Sequence, residues 1–174
     1  MVLESFLLGL AYIFPAYVAN ATPVVAVKIL GRAHPIDCRT VMIDGRRVLG
    51  DGKTWEGLIA GVGFGTFTGF VMSLFIPYLF RSMAEVFTLS AGALLGDILG
   101  AFIKRRVGLP TGSPAPLLDQ LGFLIIGLLL VHIIFTLPPW IDATTIILLM
   151  VFTFAMHIGT NLFAYLVRLK DRWY

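Results

Sequence analysis

Cysteine is nearly absent: Cys38 is the single one in 174 residues. It can form no intrachain disulfide and, with no companion ligands nearby, gives no zinc site. Nor is there a Ser-His-Asp set, a cysteine nucleophile, or a haem or flavin signature. Hydrolysis through a covalent intermediate and redox chemistry are therefore both without support. Charge is scarce as well, at 13% of residues against 58% hydrophobic, and mean hydropathy is +0.91. No ordinary soluble domain has that balance, so the chain reads as an integral membrane protein. The N-terminal MVLESFLLGL lacks the basic flank and cleavage site of a signal peptide and reads as a retained first span. About five spans of roughly 20 residues use up the length, leaving one bundle and no separate soluble domain.

What is present is a set of apolar runs at about 4–30, 56–78, 84–104, 118–137 and 141–167. The expected fold is an all-α bundle of five transmembrane helices, with loops at about 31–55 and 105–117 on one side. That side, with the C-terminus, collects 12 of the 13 Lys and Arg residues and leaves Arg81 alone opposite. The positive-inside rule makes it cytoplasmic and the N-terminus external. Pro15, Asn20 and Pro23 interrupt the first span, which predicts a kinked or broken helix, with Asn20 facing either a packing partner or a ligand cavity. Gly57, Gly61, Gly65 and Gly69 repeat every four residues in the second span, and Gly92, Gly96 and Gly100 do so in the third. Such strips let helix backbones approach closely in lipid. They predict that spans two and three pack together, bringing Lys53 and Thr54 beside the end of span three, and they suit packing within one chain or across a homodimer. Thr153, His157 and Asn161 share a face of span five, as interhelical hydrogen-bonding groups or as a cavity lining.

Chemistry concentrates at Gly96–Gln120. Asp97 lies inside an apolar helix, where an ionisable group is costly unless partnered and reads as functional by default. Lys104 follows seven residues later, two turns and roughly 10 Å along one face. Arg105 and Arg106 come next, then a Gly- and Pro-rich turn, then Asp119 where the fourth apolar run begins. The first loop holds the other polar cluster. VMI-DG-RRV predicts a short hairpin turning at Asp44-Gly45. Gly50-Asp51-Gly52-Lys53-Thr54 fails as a Walker motif, because Arg47 stands where the first glycine belongs and no βαβ unit surrounds it. It still offers glycine-exposed amides and Lys53 at a helix N-terminus, with Thr54 as a helix cap, and that arrangement favours a bound anion. Asp37 and Asp51 are acids able to hold a cation or a base-edge donor. Acids beside bases suit a magnesium polyphosphate, with carboxylates on the metal and Lys or Arg on phosphate oxygens.

These residues carry a resemblance. Gly96-Asp97, Ile103-Lys104-Arg105, Pro110 to Asp119 and Gln120-Leu121 resemble the signature region of the CTP:phosphatidate cytidylyltransferase superfamily. Asp44 to Gly57, together with Pro15-Ala16-Tyr17 and Ala19-Asn20, is similar to its archaeal branch, the CDP-archaeol synthases, and the likeness covers essentially the whole chain. Departures from the broader signature fall at Ala101, Pro110-Thr111, Ser113 to Leu117 and Gly122. The resemblance implies transfer of CMP from CTP to 2,3-bis-O-geranylgeranylglyceryl phosphate, with release of pyrophosphate, at the cytoplasmic face of the cell membrane. It implies Mg²⁺ as cofactor on Asp97 and Asp119, with Lys104, Arg105 and Lys53 as catalytic cations. Asp37, Gly50, Asp51, Gly52, Lys53 and Thr54 would bind CTP or phosphate, and Asn20, His157 and Asn161 would line the lipid cavity. Its partners are CTP, an isoprenoid ether lipid phosphate and membrane lipids, with no nucleic acid.

Two other classes fit parts of the pattern. A small transporter or channel would explain the intramembrane acid, but it should show internal repeats or polar residues reaching the outer face. A lipid kinase would share the phosphate chemistry, and binding of ATP rather than CTP would distinguish it. A CDP-alcohol transferase would need aspartates on consecutive turns, which positions 93, 94, 100 and 101 lack.

Overall fold

The computed structural model describes residues 2–166. It is an all-helical bundle of α1 (Val2–Leu30), α2 (Trp55–Phe75), α3 (Met83–Arg106), α4 (Leu118–Phe135) and α5 (Ala143–Leu166). All five are long and apolar enough to cross a membrane, so the chain is a multi-pass membrane protein. The bases at 168–172 lie outside the described residues. Local chemistry sets the ends. Thr54 caps α2, its hydroxyl accepting from Gly57 N at 3.1 Å, and Asp142 Oδ1 accepts from Thr145 N at 2.7 Å to open α5. Pro77 stops α2 at Phe75, short of the expected 78, because a residue before proline is disfavoured in the helical region. Helix α3 continues through Lys104, Arg105 and Arg106, cations that suit the negative end of a helix dipole.

The expected break in the first span does not occur: α1 is helical throughout, across both Pro15 and Pro23. Pro23 has no N–H, which leaves the carbonyl of Ala19 without its helical donor. That carbonyl turns to α2, where a Cβ placed on Gly61 would lie 2.7 Å from it. The glycine strips also pair differently from the expectation. The α2 strip receives the backbone of α1 and the side chains of Ser90, Leu94 and Val86 from α3. The α3 strip faces α4 instead, where Gly96 meets the Gly122 carbonyl and Gly92 meets the Cα of Gly127. Glycines that the sequence shows as two matching strips are thus spent on two separate interfaces, both within one chain, and α3 lies between them. The segment leading into α2, with Lys53, still comes to rest beside the later part of α3, though through α3 side chains rather than glycine on glycine.

Fully buried Tyr12, Ile13, Leu89, Phe123, Leu124 and Leu149 fill the centre. Tyr17 and Thr153 share a 2.5 Å hydrogen bond between α1 and α5. At the end away from the basic loops, Glu85 is completely buried and accepts from Tyr12 Oη at 2.6 Å, Arg81 N at 2.8 Å and Arg81 Nη2 at 2.9 Å. Arg81 also donates to the carbonyls of Phe135 and Thr136 at the end of α4. The lone base on that side is therefore a fastening between α1, α3 and α4.

Because the Gly122 carbonyl cannot yield, Gly96→Ala should destabilise the bundle by about 1–3 kcal/mol. A built Cβ at Gly96 falls 2.3 Å from that oxygen, whereas at Gly63 it meets nothing within 4 Å. Gly63→Ala should change stability by no more than about 1 kcal/mol. Thermal unfolding of both variants in detergent checks the contrast.

Candidate active site at the basic end of the bundle

The loop between α1 and α2 folds back over the end of α3 through short-range turn chemistry. Gly45, at φ +73°, closes a turn in which its N–H donates to Met42 O at 2.9 Å, and Val41 pairs with Arg47 as one isolated antiparallel bridge. The expected hairpin is present in this minimal form, and no strand is formed among the described residues. A second bridge, Pro35 to Thr54, closes the base of the loop, with Ile36 N donating to Lys53 O at 2.9 Å.

Asp37 organises the interior of this loop. Its carboxylate accepts from Arg47 Nε and Nη2 (3.2 and 2.8 Å), from Leu49 N and Gly50 N (both 3.0 Å) and from Arg39 N (3.1 Å). Burial alone would push this carboxyl up, but the Arg47 guanidinium and the amides of Gly50, Leu49 and Arg39 outweigh it and hold Asp37 well below the usual carboxylate range. Arg47 is raised in turn, chiefly by its hydrogen bonds to Asp37, and also pairs with Asp51 at 3.0 Å. The loop is then clamped to α3. Arg106 Nη1 lies 2.8 Å from both oxygens of Asp44, and its Nη2 donates to Arg47 O. Arg46 Nη1 donates back to Arg106 O at 2.7 Å.

This clamp delivers Lys53 to Asp97, Nζ to Oδ2 at 2.5 Å. Around the pair is a cavity of about 340 Å³. Its lining mixes the polar residues Asp51, Lys53, Thr54, Asp97 and Asn20 with the apolar side chains of Pro23, Val24, Val27 and Leu58. Lys104 does not join Asp97, despite the shared helix face. It turns to Asp119 Oδ1 at 2.7 Å and Ser113 O at 3.2 Å, making a second lysine–aspartate pair. Asp119 is itself held by Ala115 N at 2.8 Å. Arg105 is almost fully buried and donates to Thr111 Oγ1 at 2.8 Å, and Gly50 (φ +95°) lies close against that same threonine. His157 sits against Phe123, ring centroids 6.0 Å apart, and is not part of the cavity wall. The side chain of Asn161 lies outside the described residues.

Nine of the residues singled out from sequence thus lie at one end of the bundle around two Lys–Asp pairs, with Asp37 and Gly50 shaping the loop behind them. Sequence reasoning missed Asp44, Arg46, Arg47, Arg106 and Thr111. The signal for the clamp was the Arg106 of a basic run that topology alone would account for, facing an aspartate in a hairpin turn.

A bundle of five spans with a lysine–aspartate pair in a partly apolar cavity at its base-rich end suits a membrane-embedded enzyme. A family model described as CarS-like, CDP-archaeol synthase, matches residues 2–174, and the chain belongs to that family. Similar curated proteins named CDP-archaeol synthase include that of Thermococcus onnurineus, 47% identical over 169 residues and covering 95% of both chains. Another is that of Pyrobaculum islandicum, 46% identical over 158 residues, covering 91% of this chain and 92% of the relative. A solved structure of an intramembrane enzyme for archaeal membrane lipids biosynthesis is similar at TM-score 0.76 and 38% identity, over 87% of this chain and 91% of that one.

Asp37→Ala would strip partners from Arg47 and two buried amides and should loosen the loop by about 1–3 kcal/mol. A carboxyl with a depressed folded pKa contributes stability that is full above its unfolded value and lost as pH falls through the folded one. Loop protection should therefore persist to pH 3.8, the ordinary value, and decline only below it. Amide hydrogen exchange of residues 36–53 read against pH checks both statements.

Proposed function

We propose that this chain is a CDP-archaeol synthase acting as a CTP-dependent cytidylyltransferase on 2,3-bis-O-geranylgeranylglyceryl phosphate. The observation that carries the reading is the Lys53–Asp97 pair in a cavity that is also lined by the apolar side chains of Pro23, Val24, Val27 and Leu58. A lipid phosphate fits such a lining with its headgroup at the pair and its chains against Pro23, Val24 and Val27. In the reaction an oxygen of the lipid phosphate forms a bond to the α-phosphorus of CTP. The bond from that phosphorus to the α–β bridging oxygen breaks, and its electron pair leaves with pyrophosphate. No protein nucleophile is required.

Lys53, Lys104 and Arg105 supply fixed positive charge where the transferring phosphoryl group and departing pyrophosphate gather negative charge. In the structure the two lysines are each neutralised by an aspartate. Substrate phosphates would take over the lysines and leave Asp97 and Asp119 as hard oxygen donors. That donor set fits Mg²⁺, which characteristically takes one or two carboxylates together with substrate phosphates and keeps several waters. Among the described residues no group of three or more His, Cys, Asp or Glu is placed to hold a metal ion. When bound, Mg²⁺ would neutralise triphosphate oxygens and polarise the leaving group. Gly52 and Thr54 line the cavity just before the N-terminus of α2, whose helix dipole favours an anion there. Asp37 acts through the loop, since its oxygens are already engaged by five donors.

The base-rich loop 31–54, the basic end of α3 and the loop 107–117 that follows it face the cytoplasm in this reading, because the positive-inside rule assigns the base-rich side inward. CTP then enters from the cytosol and the lipid from the bilayer of the cell membrane.

Purified protein in detergent, given CTP, Mg²⁺ and the geranylgeranyl ether lipid phosphate, should form CDP-lipid and pyrophosphate in equal amounts. Asp97→Asn and Lys53→Met should each lower kcat/KM by about 10²–10³-fold. Absence of product with any nucleotide from a folded wild-type protein would remove the reading, and product with ATP in place of CTP would turn it towards a kinase.

A further inference from the structure

We propose that the turn Val41-Met42-Ile43, with Arg39 beside it, is a bilayer-contact surface. Its apolar side chains enter the headgroup region of the leaflet on the base-rich side of the bundle, and the exposed arginines of the same loop face anionic lipid headgroups. The contact does not depend on which reaction the enzyme performs. It rests on exposure, charge and the level at which the loop is held.

Turns are normally built from glycine, proline, asparagine, aspartate or serine. Here Gly45 N donates to Met42 O at 2.9 Å, so Ile43 and Asp44 are the two central residues of the turn. Ile43 is entirely exposed there, and Val41 and Met42 before it are 54% and 40% exposed. Contiguous apolar side chains left in the open and rimmed by polar ones mark an interaction surface. The charges around them say what it meets. Asp44, the acid of the turn, is taken up by Arg106, whose Nη1 lies 2.8 Å from both carboxylate oxygens. Arg32 and Arg39 are exposed and form no ion pair among the described residues. The outer side of the loop thus presents apolar surface together with uncompensated positive charge, the combination that settles into a membrane interface and attracts anionic lipid.

The fold holds this surface at the height of the span ends. Trp55, half-exposed at the start of α2, has the character of an interfacial aromatic, and its N–H donates to His34 O at 3.0 Å, which fixes the base of the loop at that level. The far side of the loop is tied to the last residue of α3, where Arg46 Nη1 donates to Arg106 O at 2.7 Å and Arg106 Nη2 donates to Arg47 O. Arg106 in turn lies over the ring of Phe102, 5.3 Å from its centroid, and Val107 just beyond it is exposed. The headgroup layer is about 5–8 Å deep on each side of the hydrocarbon. A turn pinned to the last residue of a span lies within its reach. Burial of the tip there would brace from outside the same loop that Asp37 orders from inside and that carries Lys53.

Spin labelling of the full-length chain reads the contact directly. Ile43→Cys in a Cys38→Ser background leaves one thiol to label, and the protein is placed in vesicles of mixed phosphatidylcholine and phosphatidylglycerol. The label should collide more often with dissolved oxygen, which concentrates in the bilayer, than with a neutral water-soluble nickel chelate. Amide hydrogen exchange at residues 40–45 of the unlabelled protein should be at least about fivefold slower in these vesicles than in phosphatidylcholine alone. Arg39→Gln should shrink that difference. Ile43→Asp should speed exchange of the turn in the mixed vesicles, and an unfolding temperature in detergent equal to that of wild type shows that the bundle is intact. A label that meets the nickel chelate more often than oxygen in the mixed vesicles overturns the proposal, as does exchange that neither the anionic lipid nor Ile43→Asp alters. Shielding of the label only in native membranes, where other proteins are present, would make the turn a protein-docking surface and overturn it likewise.

Discussion

A carboxylate placed on a membrane helix must find a partner, and Asp97 finds its own in Lys53, 44 residues away in sequence. Much of the basic end follows from that requirement. Lys53 can reach Asp97 only if the whole segment from Gly31 to Thr54 doubles back over α3. A loop that long orders itself only if its backbone polar groups are satisfied. Asp37 answers this from inside by gathering Arg47 and three amides, and the reciprocal contacts of Arg46, Arg106 and Asp44 answer it from outside. The charged pair is the endpoint of that chain of local contacts.

The second constraint is distance between backbones. Glycine at the helix crossings removes the side chains that would hold α1 from α2 and α3 from α4, so dispersion contacts and the turned carbonyl of Ala19 replace them. This is how α1 stays helical across two prolines. It also fixes where α3 lies, between its two neighbours, and hence where Asp97 can be reached.

Hydropathy and the positions of proline made the five spans legible, and the clustering of Asp97, Lys53 and the glycine turn was legible from residue type and spacing. Partner choice was not. Asp97 and Lys104 share a helix face, yet each pairs elsewhere, because the loop before α2 supplies Lys53 and the first turn of α4 supplies Asp119 at closer range than two turns of helix. The strips at Gly57–Gly69 and Gly92–Gly100 looked mutual, but a repeat of small residues states only that something approaches, and the approaching helix is set by the whole bundle. Glu85 was invisible as a structural group, since its partners Tyr12 and Arg81 lie on different elements and are joined only by folding.

That fastening of Tyr12, Arg81 and Glu85 has a consequence for traffic. Tyr12 and Glu85 in the knot are fully buried, as are Leu89, Phe123 and Leu124, so packed side chains fill the bundle there, and the Lys53–Asp97 cavity lies at the other end. Every reactant and product must come and go through the same doorway or sideways through the bilayer. A carrier would need a second doorway.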